Sequence, residues 1–308
     1  MTHRISCRGH LAGAMTAAAL IVSAPTATAQ PFDQRIRAGI DEAIRALDQS
    51  PQMKRMSAQA KKDLVEFTVG NILFVLAHEL GHVVISEMSL PVLGREEDIA
   101  DSFAILATLH MHTAFTERVL IEAAKGWLLS SYRDKKERNA PAFYDEHSLD
   151  LQRAYHVVCL MVGFDPARFK ALATEVKLPE ERQASCVRDH NNAAWSWDTM
   201  LKPHRRSPDQ PKLTITVDHK DDGRYAIQAR ILRHMRVLET VAEHAADRFA
   251  WKAPFSIEAR ACGEANARFF FATRTLTLCY ELIQEFTELF LGYSRKLPSF
   301  AAEDAKRP

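Results

Sequence analysis

An apolar stretch from about Lys62 to Met88 carries three ionisable side chains where a buried helix least tolerates them, in Ala77-His78-Glu79-Leu80-Gly81-His82. Leu73, Phe74, Leu76, Leu80, Val83 and Val84 crowd around the trio, so a helix here buries it, and unpaired buried polar groups are costly. Residues four apart lie on one face of a helix, so His78 and His82 can turn two imidazoles towards one metal ion. Glu79 is one step round from His78, where its carboxylate can reach a metal-bound water without being a ligand. In a chain with 13 histidines the spacing alone could arise by chance. The apolar surroundings favour the metal reading, because an ion would satisfy all the buried donors at once.

Ser89-Leu90-Pro91-Val92-Leu93-Gly94 breaks that helix with Pro and Gly as punctuation. A second helix is predicted from Arg95-Glu96-Glu97-Asp98-Ile99-Ala100-Asp101, whose acidic first turn also suits a helix N-terminus for electrostatic reasons alone. A zinc site needs a third protein ligand and one open position. Glu97 and Asp101 are four apart on one face, with Ala100 small enough for close packing; Glu96 and Asp98 are rival third ligands that lack an aspartate one turn on. H-E-x-x-H on a helix is a zinc-metalloprotease signature. With E-x-x-x-D on the next helix, the sequence resembles the gluzincin peptidases. The resemblance implies that Glu97 is the third zinc ligand and that Asp101 hydrogen-bonds His78 from outside the ligand set, fixing its tautomer.

HELGH, LPVLGREEDIAD, DEHSLDLQRAY and CGEANARFFF…LCYEL together look like a bacterial family of metallopeptidases, with motifs spread over most of the chain. The first two motifs are specific; no role attaches to the later ones. Chemistry of this type needs a donor for the oxyanion that develops in the transition state. His147, at the mouth of a helix predicted to be capped by Ser148 or Asp145, is the candidate, with Tyr144 and Tyr155 behind it. His110 and His112 lie more than two turns beyond Asp101 and are expected to be polar or core residues. Trp195 and Trp197 are expected in the core.

Residues 1–29 read as a secretory signal peptide: Arg4 and Arg8, an apolar run from Leu11 to Ala24, and the small-x-small site Ala27-Thr28-Ala29. No later stretch reads as a membrane helix, so a periplasmic or secreted protein without membrane insertion is expected. Removing the leader's two arginines takes the 40 basic residues to 38 against 39 acidic ones, a net charge of −1. That balance does not favour nucleic acid as a partner. Four cysteines then remain, and the local pairing, Cys159 with Cys186 and Cys262 with Cys279, is expected in an oxidising compartment.

Residues 33–47 show the spacing of an amphipathic helix, and helices are predicted through to Trp197. His204 to Pro211 is a Pro- and charge-rich linker, dividing a helical part with the zinc site (residues 30–205) from an α/β part (206–296), with 297–308 a loose tail. Beyond the linker, strands are predicted at Leu213–Val217, Tyr225–Ala229, Phe255–Arg260, Ala267–Phe271 and Leu276–Tyr280, with one helix over Leu232–Phe249 and another over Glu281–Gly292. The fold class is therefore α+β and predominantly helical. Zincin peptidases usually place a sheet before the zinc helix; here it follows, so a permuted order is expected. In it the C-terminal sheet packs on the zinc helix, and an edge strand near Asn266–Phe271 lines the cleft for an extended peptide.

The combined expectation is a metallopeptidase with one Zn2+ per chain, held by His78, His82 and Glu97. Glu79 is the general base for a zinc-bound water, and a peptide or polypeptide is the substrate. The alternatives are a zinc-binding export protein without turnover and an interaction protein with a degenerate motif.

Overall fold

The computed structural model describes residues 29–220 and 223–296. The expected signal peptide, apart from its last residue Ala29, and the tail at 297–308 fall outside the described residues. Ten helices and four strands follow in the order α1 (Ala29–Leu47), α2 (Ala58–Glu87), α3 (Glu96–Leu109), α4 (Ala114–Glu137), α5 (Asp150–Phe164), α6 (Pro166–Glu175), α7 (Glu180–Leu201), β1 (Thr216–His219), α8 (Ala226–Met235), α9 (Val237–Arg248), β2 (Ser256–Arg260), β3 (Ala267–Phe270), β4 (Thr275–Cys279) and α10 (Tyr280–Tyr293). The architecture is α+β and mostly helical, with one small mixed sheet in the C-terminal part.

α2 is the axis of the molecule. Ser57 starts it by accepting a hydrogen bond from Ala60 N–H at 3.2 Å, and Ser89, with φ of 54°, ends it ahead of Pro91. A helix that is apolar all round has no water face, so it must be surrounded. Helices α1, α3, α4, α9 and α10 and strands β3 and β4 do this. By length and composition α2 could cross a membrane, which corrects the sequence expectation that no such stretch exists; 72% of its apolar window is buried within the protein. α3 meets α2 closely because Gly81 faces Ala100: a Cβ at Gly81 would stand 3.2 Å from Ala100 Cα. That contact brings the first turn of α3 to the two histidines.

The sheet runs β1-β2-β4-β3, with β1, β2 and β4 parallel and β3 antiparallel to β4. β3 is thus an edge strand, as expected, and it packs against α2. Arg274, in the β3–β4 turn, holds this hairpin to the end of α2 through Glu87, with Nη1 to Oε1 at 2.6 Å and Nη2 to Oε2 at 3.0 Å. Ile257, Leu276 and Leu278 from the sheet share one core with Leu76, Leu80 and Val84 of α2.

Four sequence expectations fail here. Tyr225–Ala229 is not a strand: Tyr225 ends a short 3-10 turn and Ala226 begins α8. Ala229, Leu232 and Met235 face the core from that helix, and short apolar runs do not separate helix from strand by period alone. The single helix expected over Leu232–Phe249 is two, broken at Arg236, which takes the left-handed conformation with φ of 50°. The first strand also begins later than expected, at Thr216, and pairs in parallel with β2 rather than in a hairpin. At the start of α5, Leu149 is the N-cap residue in place of Ser148 or Asp145; Asp145 accepts from the His147 backbone N–H instead.

The cysteines pair as expected, Cys159 with Cys186 and Cys262 with Cys279. The first ties α5 to α7, and the second ties the end of β4 to the loop after β2. The Cys159–Cys186 loop spans 27 residues, for which loop-closure entropy gives about 3.5 kcal/mol. Replacing both cysteines by serine is therefore expected to lower unfolding free energy by about that amount in urea titrations. A change under ~0.5 kcal/mol would show that the unfolded chain is not constrained by this bridge.

Candidate metal centre

His78 and His82 sit one turn apart on α2, and Glu97 lies in the first turn of α3. Their nearest atoms converge: His78 Nε2 to His82 Nε2 is 3.2 Å, His78 Nε2 to Glu97 Oε2 is 3.0 Å, and His82 Nε2 to Glu97 Oε2 is 3.4 Å. Tetrahedral coordination at about 2.0–2.1 Å separates ligand atoms by roughly 3.3 Å. Two nitrogens and one carboxylate oxygen at these spacings therefore fit a divalent metal. Glu96 is occupied on the far side of the same ring, accepting from His82 Nδ1 at 2.8 Å. Asp98 is not among the groups that converge there.

Behind the histidines, His78 Nδ1–H donates to Asp101 Oδ1 at 2.7 Å, so that Nε2 faces Glu97 and His82 and is the nitrogen a metal would take, in place of the proton it shares with Glu97. Asp101 is only 2% exposed. Arg153 of α5 donates to it twice, Nε to Oδ2 at 2.8 Å and Nη2 to Oδ1 at 2.7 Å, and stacks its guanidinium 3.8 Å from the Trp127 ring centre. Burial opposes the charge on Asp101, but the bonds from His78 and Arg153 outweigh it and hold the carboxyl well below its usual range. Arg153 and Trp127 were not legible in the sequence as site residues: a lone arginine at helical spacing carries no sign that its partner lies 52 residues away.

His147 reaches the centre from the turn before α5. Its Nε2 is 2.9 Å from Glu97 Oε2, and Asp145 Oδ1 is 3.1 Å from its Nδ1. His78, Glu97 and His147 can each offer one atom to a shared ion, all within 4.8 Å of one another. Glu97 thus has three imidazoles around it; burial opposes its charge, yet bonds from His147, His78 and His82 hold it far below the ordinary carboxylate range. His82 is pushed up to about 9, since bonds to Glu97 and Glu96 overcome its burial. Tyr144 is 93% exposed, and Tyr155 packs against a separate apolar cluster that includes Ile105, Leu120 and Val157; neither tyrosine lines the cleft beside this centre.

A cleft of about 190 Å³ opens beside this cluster, lined by His78, Glu79, His147 and Arg153, by Trp127 and Ser130 of α4, and by Ala265, Asn266 and Ala267 leading into β3. Glu79 is half-buried in its wall and has no hydrogen-bond partner among the described residues. Burial pushes its carboxyl up, opposed by the nearby His78 and His82. The Trp127 indole N–H is a buried donor without a partner among the described residues. Of the remaining sequence candidates, His110 closes α3 by bonding Leu106 O at 2.7 Å, and His112 packs on Phe164. Trp197 is in the core, as expected, whereas Trp195 is 71% exposed, against expectation.

Comparison with curated proteins and with solved structures returns no match. A family model described as "Putative metallopeptidase" matches residues 31–201 and 218–306, leaving out the interval that contains the Pro-rich linker. A match over most of the chain places this protein in that metallopeptidase family, and its cluster of histidines and a glutamate is one that could hold a metal ion.

Proposed function

We propose that the protein is an exported zinc peptidase in which His78, His82 and Glu97 hold one Zn2+ and Glu79 moves the proton. The carrying observation is the convergence of two imidazole nitrogens and a carboxylate oxygen at 3.0–3.4 Å, with an unpartnered glutamate in the adjoining cleft wall. The nitrogen and oxygen donor set suits zinc. Bound there, the ion supplies Lewis acidity, polarising a carbonyl and acidifying water. Glu79, its pKa raised by burial, accepts the proton of the attacking water and delivers it to the leaving amine. His147 donates to the carbonyl oxygen as negative charge grows there. Asp101 holds His78 in one tautomer and orientation.

The β3 edge supports a peptide substrate. Cys279 N–H donates to Asn266 O at 3.0 Å, so in the antiparallel register the backbone groups of Ala267 and Phe269 point away from β4. Asn266 Oδ1 covers the Ala267 N–H. The Ala267 carbonyl and both backbone groups of Phe269 have no other partner among the described residues, and an extended peptide can add there as a strand. Export is supported by the leader-like residues 1–29 and by two disulfides, which persist in oxidising compartments. The division into a helical part (30–205) and an α/β part (206–296) belongs to the same reading.

Elemental analysis and casein cleavage test it together. Wild type is expected to carry one zinc per chain and to cleave. Glu97→Ala is expected to bind zinc at least about 100-fold more weakly, since it removes a ligand rather than a supporting partner. Stoichiometric zinc without cleavage would identify a metal carrier; wild type purified gently with well under one zinc would remove the metal centre itself.

A further inference from the structure

On the other side of α2 lies a second and larger cavity, of about 410 Å³. Leu80 of α2, Phe103 and Ala107 of α3, Trp197 of α7, and Val241 and Phe249 of α9 and its end form its walls. None of the residues placed in the metal centre lines it. Its size falls among small-molecule sites, which span roughly 300–1,000 Å³.

Three of the polar groups in the walls are already engaged, while Thr240 and His244 of α9 add two more polar side chains to an otherwise apolar lining. Thr108 Oγ1 donates to Ala104 O, Thr116 Oγ1 exchanges bonds with Thr113, and His110 Nδ1 bonds Leu106 O. A peptide entering here would bury amide groups against walls that offer them few partners, at a cost. A hydrocarbon chain needs none. The mouth is different in character. Arg205 pairs with Asp198, Asp247 pairs with Lys212, and Arg206 donates to the backbone oxygens of Asp247, Ser207 and Gln210. Arg248 stands beside Arg205 at this rim with no acidic or other side-chain partner among the described residues. Arg248 is solvent-exposed there, and the lining's three arginines, Arg205, Arg206 and Arg248, outnumber its two aspartates, Asp198 and Asp247, so an anion at the rim is favoured and a cation is not.

We propose that this cavity is a binding site for one single-chain alkyl carboxylate, its chain among Leu80, Phe103, Trp197 and Phe249 and its carboxylate on Arg248. An apolar pocket with a cation at its mouth matches that amphiphile in both shape and charge. The site stands independently of the peptidase reading.

Calorimetry with sodium dodecanoate, kept below its micellar concentration, tests the assignment, with dodecyltrimethylammonium as a cation of matched chain length. Wild-type protein is expected to saturate with one dodecanoate and to show no saturable heat with the cation. Arg248→Ala is expected to weaken dodecanoate binding about 10-fold or more, as loss of a charge-assisted bond does. Ala194→Trp, which projects into the cavity from α7, is expected to abolish it. Absence of saturable dodecanoate binding, equal binding of the cation, or an Arg248→Ala variant that binds like wild type would each overturn the proposal. Should Ala194→Trp fail to fold, quenching by 11-bromoundecanoate locates the chain: the proposal requires a quenched component that disappears in Trp197→Phe, and quenching unchanged in that variant refutes it.

Discussion

Glu79→Gln is expected to retain zinc at the wild-type stoichiometry and to lose peptide hydrolysis by about 10²–10⁴-fold, the usual contribution of a positioned general base. The substitution keeps the shape of the side chain and removes only its ability to take up a proton. Glu79 has no hydrogen-bond partner among the described residues, so the amide disturbs no existing contact. It also stays clear of the convergence of His78, His82 and Glu97, which is why metal content should not change. Turnover and zinc content measured on the same preparation separate this role from a ligand role. If Glu79→Gln lost the metal along with activity, Glu79 would belong to the ligand set and another group would have to move the proton.

The second large effect is expected from a residue that touches no candidate ligand. Arg153→Ala removes two bonds from the 2%-exposed Asp101 and the stack on Trp127. Breaking a buried ion pair from one side leaves an uncompensated charge, at about 3–5 kcal/mol. Asp101 must then either protonate or turn towards its remaining partner, His78. In both cases the imidazole loses its fixed orientation, so zinc affinity is expected to fall about 10–100-fold as well. Arg153→Lys should recover little, since an ammonium can neither make the paired bonds nor stack in the same way. Urea unfolding and competition with a zinc chelator measure the two effects. The double variant Arg153→Met with Asp101→Asn, which removes both charges, is expected to regain most of the stability but not the affinity. Recovery of both would show that the pair serves the fold alone.

The features written into local sequence are those with a covalent period behind them. Four-residue spacing by itself puts His78 with His82, and Glu97 with Asp101, on common helix faces, because 3.6 residues per turn leaves little choice. The small pair Gly81 and Ala100 marks where two helices can approach. Short loops pair the cysteines, and alternation with a turn at Ala272-Thr273-Arg274 gives the β3–β4 hairpin. His147 is legible only as a histidine near a helix start.

What only the tertiary structure decided are the meetings between segments far apart in the chain. Arg153 finds Asp101 across 52 residues, His147 closes on Glu97 from an irregular turn, and β1 pairs in parallel with β2 rather than folding back through Tyr225–Ala229. The apolar residues of that segment would fit a strand or a helix by themselves; packing of Ala229, Leu232 and Met235 against the core selects the helix. Period is a property of the backbone and can be counted along a chain. Convergence depends on which buried surfaces fit one another once the whole chain is compact, and neighbouring residues do not encode it.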